Sequence, residues 1–378
     1  MRKIVPLLSL CVLSALAAAQ VPKSNHVVVV VEENHSYSSV IGNSSMPFFN
    51  SLASHNVLFT QYYANTHPSI GNYFMMTTGQ IITNNDSFTG TVTQDNIVRH
   101  MLTAGKTWRS YAESLPSVGY TGGNTGAYVS RHNPFSFFSD VRNSSVEKLN
   151  LVPFTRFAAD LQNNALPDFS YIIPNVSHDA HNGTLAAADN WLKANITPLL
   201  SNKQFQQDGI LIVVFDESVD TDTAHGGGHI ATLMAGPGLK KAYRSGKLYQ
   251  HNNLLRTVMD ALGMRTYPGS AATAVDMTDG FIGLASSSAC TAASVGVTVC
   301  SPAAGSTMSS PVRVTAAAES TVAITAMRIY VDNVSVYFTK SASLDTSIAV
   351  KPGGHHVVVQ AWDSRGAIYK NARTITVQ

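Results

Sequence analysis

Acidic residues directly follow two apolar stretches of the chain. A run of five valines leads into Glu32, Glu33 and Asn34, and a later apolar run leads into Asp216 and Glu217. Because the carboxyl ends of parallel strands meet at one edge of a sheet, we expect these side chains to lie together. Grouped carboxylates repel one another unless a cation lies between them. The pattern predicts a cation site formed by Glu33, Asn34, Asp216 and Glu217; acids solvated at the start of a loop are the alternative.

A serine lies between the two acidic pairs in the sequence. Pro68 before Ser69 and an apolar run after it predict that Ser69 lies in the first turn of a helix, where free backbone N–H groups favour an anion. Asn72, one turn later, projects from the same face and can donate its amide to a phosphate oxygen. A serine at a helix N-terminus beside a cation is typical of phosphoryl transfer to a protein nucleophile. The alternative is an ordinary N-cap serine.

Histidines follow two of the predicted strands. His178, Asp179 and His181 come after one strand, and His229 comes after the strand that ends before the second acidic pair. Open α/β sheets form their sites beyond such strand ends. A protonated histidine there binds phosphate or protonates a leaving alkoxide, and a neutral one ligates a metal. Histidines held by nearby loop carbonyls are the alternative. His132, in His-Asn-Pro-Phe, has no predicted strand before it and is a further candidate.

The N-terminus predicts a secretory signal. Arg2 and Lys3 precede a short apolar stretch and a small-residue exit, with cleavage expected after Ala19. No later run is long and apolar enough to predict a membrane helix, so a secreted or periplasmic protein is expected. Loss of the two cations reduces the formal charge of +2 to about neutral. A neutral protein is not expected to bind nucleic acid through many phosphate contacts.

Residues 24–266 alternate apolar strand-like runs with longer amphipathic segments. Strands are predicted at residues 26–32, 107–112, 169–173, 210–215 and 229–235, and helices at residues 47–54, 69–78, 94–104, 154–163, 185–200 and 252–262. Such alternation predicts an α/β domain whose mainly parallel sheet is covered by helices on both faces.

The composition changes near residue 283 to Ala, Ser, Thr, Gly and Val. Cys290 and Cys300 lie in this segment, and in an exported chain they favour a disulfide over a metal site or a reactive thiol. Strands are then predicted at residues 312–317, 327–331, 334–338, 346–350, 356–361 and 373–377, a pattern typical of a small immunoglobulin-like sandwich. The predicted organisation is a signal at 1–19, an α/β catalytic domain at 20–283, and a linker and sandwich at 284–378.

Several segments of the first domain together resemble a known family. They include VVVVEENHSY, THPSIGNYFMMTTG, HNPFSFF, YIIPNVSHDAHN, VVFDE and GGGHIATLMAGPG. Their content and order resemble the phosphoesterase family of bacterial acid phosphatases and phosphocholine-type phospholipases C, a branch of the alkaline phosphatase superfamily. The resemblance covers nearly the whole first domain and implies an alkaline phosphatase-like fold. The C-terminal module lies outside it.

The resemblance also implies roles for individual residues. Related phosphodiesterases place a nucleophilic threonine and then an asparagine three residues later, a spacing that makes Ser69 the nucleophile. The second acidic pair is Asp-Glu instead of the Asp-His of two-zinc members, which implies one divalent ion: calcium, magnesium, manganese, zinc or iron. The remaining implied residues are Glu33, Asn34, Asp216 and Glu217 as metal ligands, His178 and His229 as catalytic residues, and Asn72, Asp179, His181 and His132 as substrate-binding residues.

The resulting hypothesis is a secreted, metal-dependent acid phosphatase that hydrolyses phosphomonoesters through a phosphoserine. A phospholipase C-type phosphodiesterase is the alternative within hydrolases. Pocket shape would separate the two activities, but residues 81–152, which are expected to form the pocket, show no readable periodicity. The alternative from another class is a non-catalytic surface or matrix-binding protein. The expected partners are a phosphorylated small molecule or lipid, and a cell surface or polysaccharide contacted by the C-terminal module.

Overall fold

The computed structural model describes residues 21–282, 290–308, 310 and 312–378. The signal predicted at residues 1–19 and part of the predicted linker lie outside the described residues. The described chain divides into two compact units, one ending at residue 282 and one beginning at residue 290. Within the described residues, no helix combines the length and the apolar character needed to cross a bilayer.

One eight-stranded sheet forms the centre of the first unit. Its strands are Val27–Glu32 (β1), Val57–Phe59 (β2), Trp108–Ala112 (β3), Leu151–Pro153 (β4), Phe169–Ile173 (β5), Ile210–Phe215 (β6), Thr232–Ala235 (β7) and Tyr243–Ser245 (β8). Their spatial order is β4-β3-β5-β1-β6-β7-β2-β8. Every neighbouring pair is parallel except the two pairs that involve β7. The predicted mainly parallel sheet is confirmed.

Helices connect these strands and cover the sheet. They are Tyr37–Val40 (α1), Pro47–His55 (α2), Ser69–Thr78 (α3), Ile97–Thr103 (α4), Ser139–Arg142 (α5), Thr155–Gln162 (α6), Leu185–Ser201 (α7), Phe205–Asp208 (α8) and His251–Ala261 (α9). Every residue of β1, β5 and β6 is buried. Since successive side chains of a strand point to opposite faces, the centre of the sheet is covered on both faces, as predicted.

Predicted and observed bounds agree best in the longer elements. Helix α3 has the predicted bounds, as do β5 and β6. The sequence pattern does not predict β2, β4 and β8, because each has only three residues and such runs show no readable alternation. The strand predicted at residues 229–235 begins at Thr232, so His229 lies in the loop before it.

The neighbouring strands β1 and β6 position the two acidic pairs. They are parallel and in register from Val27 beside Ile210 to Glu32 beside Phe215. The residues that follow each strand therefore emerge side by side at one edge of the sheet. Buried parallel strands are held by backbone hydrogen bonds on both sides, so this edge is a rigid support for functional side chains.

The second unit is a β-sandwich. Its strands are Gly296–Ser301 (β9), Thr307–Met308 (β10), Val312–Glu319 (β11), Ile324–Val331 (β12), Val334–Thr339 (β13), Ser343–Ile348 (β14), Gly353–Asp363 (β15) and Ile368–Val377 (β16). They form a five-stranded sheet and a three-stranded sheet, and one apolar core contains residues of both sheets. Strands β9 and β10 fall in the segment predicted as a linker, because its small residues conceal the alternation. The predicted disulfide between Cys290 and Cys300 is present.

Candidate active site

Ser69 is the first residue of α3, a helix whose ten residues are all buried. Pro68 precedes the helix in an extended conformation, so Ser69 is not the capping residue and the alternative of an ordinary N-cap serine is wrong. At the other end, Gly79 is left-handed with a φ of 66°, and a side chain there would clash with the backbone at Pro268 and Ser270. Both ends of the helix are therefore fixed.

The hydroxyl of Ser69 lies among acidic oxygens from both strand ends. Ser69 Oγ is 3.2 Å from Glu33 Oε2 and 3.1 Å from Glu217 Oε1. It is also 3.3 Å from Asn34 Oδ1, and the backbone N–H of Asn34 donates to Asp216 Oδ1 at 3.1 Å. The three acids are at most 1% exposed, so the alternative of solvated loop acids is wrong. The structure brings the predicted nucleophile and the predicted metal ligands together.

The side-chain amide of Asn34 faces acidic oxygens. Its inward atom lies 2.7 Å from Glu33 Oε2 and 3.1 Å from Asp216 Oδ1. With the nitrogen turned inward, the amide donates a hydrogen bond to both carboxylates. With the oxygen turned inward, it adds another oxygen ligand to the acids around Ser69. The left-handed conformation of Asn34, with a φ of 47°, turns the chain sharply after β1.

Burial of these carboxyl groups near one another raises their pKa values. Burial and the charge of Asp216 raise the pKa of Glu217 to about 9. Burial raises the pKa of Asp216 itself to about 6. Burial together with the charges of Asp216 and Asp179 holds the pKa of Glu33 well above its ordinary value. Each of these shifts is the expected result of burying several carboxyl groups close together.

The same residues have the chemistry of a divalent cation site. Asp216 Oδ2 is buried and has no hydrogen-bond partner within the described chain. In the described residues, the ion pairs of Glu33 and Glu217 are with histidines, and no lysine or arginine reaches either carboxylate. Carboxylate and amide oxygens are the ligands that hard divalent ions prefer. The donor set of Glu33, Asn34, Asp216 and Glu217 therefore fits such an ion.

Glu33 is held from its other side by buried residues. Tyr73, one helical turn after Ser69, donates its hydroxyl to Glu33 Oε1. His132 stacks on the Tyr73 ring with centroids 5.2 Å apart, and its Nε2 lies 3.3 Å from Glu33 Oε1. The other ring nitrogen of His132 lies 3.5 Å from Asp179 Oδ2. These contacts orient Glu33 so that Oε2 faces Ser69, and the substrate-binding roles expected of His132 and Asp179 stay predictions.

Two residues of the segment around Ser69 support Glu217 and the chain before α3. His67 Nδ1 lies 2.8 Å from Glu217 Oε2, and its Nε2 lies 2.9 Å from the carbonyl oxygen of Asp222. Asn72 Oδ1 accepts the backbone N–H groups of Asn65 and Thr66. Asn72 thus braces the approach to the helix, while its predicted donation to a phosphate oxygen stays a prediction.

The remaining predicted histidines contact other groups, and among the described residues none of them is within hydrogen-bond distance of Ser69 Oγ. His178 is 40% exposed and its Nδ1 lies 2.9 Å from Glu113 Oε1. His181 Nε2 lies 3.1 Å from Arg131 Nη2. His229 is stacked between two tyrosine rings, and its Nε2 lies 3.1 Å from the carbonyl oxygen of Thr60. In His178, Nδ1 is therefore fixed by the Glu113 carboxylate, and Nε2 points away from that carboxylate.

A cavity of about 370 Å³ is lined by residues of the segment expected to form the pocket. Phe88 and Phe137 supply apolar surface, and Ser130 and Arg142 supply polar groups. Arg142 is itself held by the backbone carbonyl oxygens of Thr89 and Gly90. The cavity therefore combines apolar walls with fixed polar groups.

Sequence reasoning missed Tyr73, His67, Arg131 and Glu113 as parts of the site. Tyr73 belongs to an apolar helix and looks like an ordinary core aromatic residue. Glu113 follows β3 directly, so the strand-end signal that identified the other acids was present there too. His67 and Arg131 are each adjacent to a residue that the sequence analysis named, but nothing local indicates which distant group they contact.

Comparisons with known proteins place the chain in a family. The profile of the Phosphoesterase family matches residues 43–265, and that of a bacterial Ig domain matches residues 296–359. The phosphatidylinositol-3-phosphatase of Mycobacterium tuberculosis is 34% identical over 266 residues, which cover 70% of this chain and 85% of that protein. The acid phosphatase of Aspergillus fumigatus is 30% identical over 243 residues, 61% of this chain and 53% of that protein.

A probable acid phosphatase of Kluyveromyces lactis is 32% identical over 199 residues, which cover 50% of this chain. The chain spans about half the length of these two fungal relatives, 47% and 53%. Among solved structures, an alkaline phosphatase superfamily protein of Vibrio parahaemolyticus is 12% identical with a TM-score of 0.48, covering 94% of this chain and 84% of that one. Because the family profile matches more than half of the chain, the chain belongs to the Phosphoesterase family and is a phosphoric ester hydrolase.

Proposed function

We propose that the protein is an exported, metal-dependent phosphomonoesterase that uses Ser69 as its nucleophile. The observation that carries this proposal is the contact of one buried hydroxyl with Glu33, Asn34 and Glu217 at the start of a helix. The similarity to acid phosphatases and to a phosphatidylinositol-3-phosphatase supports a phosphate monoester as substrate, including one on a lipid headgroup.

In the proposed reaction, Ser69 Oγ attacks phosphorus in line with the leaving oxygen. Glu217 Oε1 and Glu33 Oε2 are the carboxylate oxygens within reach of the serine proton, at 3.1 and 3.2 Å, and one of them accepts it as Oγ attacks. The first turn of α3 presents free backbone N–H groups toward the negative phosphate. A divalent ion held by Glu33, Asn34, Asp216 and Glu217 would supply charge neutralisation and a lower pKa for the nucleophile. Water then hydrolyses the phosphoserine.

Protonation of the leaving alkoxide is assigned to His178 in this proposal, with His229 as the second candidate. The Nδ1 of His178 is held by Glu113, which leaves Nε2 free to carry the transferable proton. His229 Nε2 instead donates to the carbonyl oxygen of Thr60. His178→Ala should slow β-glycerophosphate hydrolysis by about a hundredfold but affect p-nitrophenyl phosphate less, because a poor leaving group depends more on general acid catalysis. His55→Ala, which alters a histidine bonded to its own helix α2, is the control.

The direct test of the proposal is Ser69→Ala assayed with p-nitrophenyl phosphate. Loss of the nucleophile should reduce turnover by orders of magnitude while leaving the fold intact. Acid quenching of wild-type turnover, followed by peptide mass analysis, should locate a phosphoryl group on Ser69. Near-normal hydrolysis by the variant would exclude Ser69 as nucleophile.

A substrate panel separates the monoesterase from the phospholipase C-type alternative. Wild-type rates are compared for p-nitrophenyl phosphate, p-nitrophenylphosphorylcholine and dispersed phosphatidylinositol 3-phosphate. A monoesterase hydrolyses the first and third compounds faster than the diester. Faster hydrolysis of the diester would favour the alternative.

Export and surface contact complete the proposal. The signal predicted at residues 1–19 supports export, and the bacterial Ig-like module supports contact with a cell surface or polysaccharide. N-terminal sequencing of the mature protein should begin at Gln20. Sedimentation with cell-wall polysaccharide should be lost when residues 284–378 are deleted, with retained phosphatase activity showing that the first unit is intact.

A further inference from the structure

The Asp86 carboxylate contacts a backbone N–H group and a guanidinium group beside the proposed nucleophile. The backbone N–H of Ile70, the residue after Ser69, donates to Asp86 Oδ1 at 3.3 Å. The other oxygen, Asp86 Oδ2, lies 3.3 Å from Arg131 Nε. One carboxylate therefore bridges the first turn of α3 and a guanidinium group.

The segment that carries Asp86 packs closely on the first turn of α3. Asn84 donates its amide to Thr66 Oγ1 at 2.9 Å. Gly71, on the first turn, faces these two residues, and a side chain there would clash with both. This close packing fixes the backbone near Asp86. The side chain of Asp86 remains 35% exposed and has solvent beside it.

Arg131 connects Asp86 to the acidic cluster. It belongs to a short helical turn, Ser130–His132, which also carries the histidine beside Glu33. Burial raises the pKa of Asp179 to about 7, and the charges of His181 and Arg131 act against that rise. The charge of Asp86 adds to the burial and nearer charges that raise the pKa of Glu217. Both members of the ion pair thus lie within electrostatic reach of the site.

We propose that Arg131 binds the phosphate of the substrate and that Asp86 is an internal stand-in for that phosphate. In the free protein the Asp86 carboxylate engages both groups, because it accepts the N–H of Ile70 and forms an ion pair with the Arg131 guanidinium. A phosphate held at Ser69 takes them instead, and Asp86 turns into solvent. Arg131 is only 16% exposed, so the guanidinium remains in place while the carboxylate leaves.

This assignment rests on the proposed function and adds a basis for specificity. A phosphomonoester presents three non-bridging oxygens, whereas a diester presents two. A guanidinium that binds an oxygen not engaged elsewhere in the site favours the monoester. Competition from Asp86 weakens the binding of phosphate, which favours release of the product.

The experiment is calorimetric titration of inorganic phosphate into the purified full-length protein and four variants. Arg131→Gln should weaken phosphate binding by about tenfold or more, and Arg131→Lys should weaken it less, because charge is kept but the planar donor geometry is lost. Asp86→Asn should tighten phosphate binding by about threefold to tenfold, because the competing charge is removed.

The matched control is Asp220→Asn. Asp220 is 91% exposed, and its charge also adds to the raised pKa of Glu217, but it lies 4.0 Å from His67 Nδ1 and makes no ion pair with Arg131 among the described residues. Removing it reproduces the loss of a nearby negative charge without freeing Arg131. Equal tightening in Asp220→Asn and Asp86→Asn would overturn the stand-in role.

Unchanged phosphate affinity in both Arg131→Gln and Asp86→Asn would overturn the inference as a whole. Hydrolysis of p-nitrophenyl phosphate by the wild type and its loss in Ser69→Ala report separately on the proposed function. The inference predicts in addition that Arg131→Gln lowers the ratio of monoester to diester hydrolysis. An unchanged ratio would remove Arg131 as a determinant of specificity.

Discussion

Two buried aspartates, one in each unit, stand at the end of a strand in different surroundings. Asp363 ends β15, and its oxygens accept hydrogen bonds from Ser320, Tyr369 and the backbone of Arg365 and Ala367. Burial acts to raise the pKa of Asp363, but these hydrogen bonds outweigh it and lower the pKa.

Asp216 follows β6, and the hydrogen bonds that it accepts do not offset its burial. One oxygen accepts the backbone N–H of Asn34, and the other is buried without a partner among the described residues. Its pKa is raised by burial to about 6. A buried acid that the protein satisfies has a structural role, whereas one that lacks donors in a group of acids indicates a site for a cation.

The largest difference between the two aspartates should appear in catalysis. Asp216→Asn removes a charge at nearly constant shape, and we expect hydrolysis of p-nitrophenyl phosphate to fall by about a hundredfold to a thousandfold. Asp363→Asn should retain the wild-type rate. The comparison would be wrong if both variants kept full activity.

The support of Glu33 should have the next largest effect. Tyr73→Phe removes the hydroxyl that orients Glu33, and we expect the affinity for Mn²⁺ to fall by about tenfold to a hundredfold. Tyr111→Phe is the control, because Tyr111 is equally buried and its hydroxyl donates to Asp160, which is not one of the proposed metal ligands. Calorimetric titration of Mn²⁺ into protein from which metal has been removed by chelation gives the affinities. Equal losses in the two variants would indicate a general packing effect.

The two substitutions should affect stability in the opposite order, with Asp363→Asn the more destabilising. Asp363→Asn weakens hydrogen bonds that close the turn after β15, so we expect a fall in unfolding temperature on the order of 5 °C. Asp216→Asn should leave the chelated protein at least as stable as the wild type, because it removes an unpaired buried charge. Scanning calorimetry of the full chain measures both.

The smallest effect should be on the pH dependence of the free energy of unfolding, measured on protein from which metal has been removed by chelation. Burial raises the pKa of Asp216 from 3.8 to about 6, so the unfolded chain loses this proton at lower pH than the folded protein. Stability should therefore decrease as pH rises between these values. Asp216→Asn should reduce the slope, and Asp363→Asn should not. A stability that rises over this range by the same amount in all three proteins would contradict the account.

Much of the candidate site was accessible from the sequence. The acids at the ends of β1 and β6 and the helix beginning at Ser69 follow from apolar runs that stop abruptly at polar residues. Local periodicity also predicts the bounds of α3, because a buried helix between Pro68 and Gly79 has clear signals at both ends. The strands β9 and β10 were not predictable, because small residues of mixed polarity carry little periodicity.

The parts that sequence reasoning missed depend on contacts between distant segments. Tyr73 supports Glu33, His67 supports Glu217, and Arg131 contacts Asp86, and none of these partners lies nearby in the sequence. The difference between Asp216 and Asp363 is likewise invisible in the sequence, because each stands at the end of an apolar or alternating strand. Only the number of donors around each carboxylate separates them.

The most direct test of the central claim is the metal content of the purified protein after dialysis against metal-free buffer. Elemental analysis should find one divalent ion per chain in the wild type and in Asp363→Asn, and a clear loss in Asp216→Asn. A fully active wild type without bound metal, or an Asp216→Asn variant with unchanged metal content, would contradict the claim that these acids hold a cation beside Ser69.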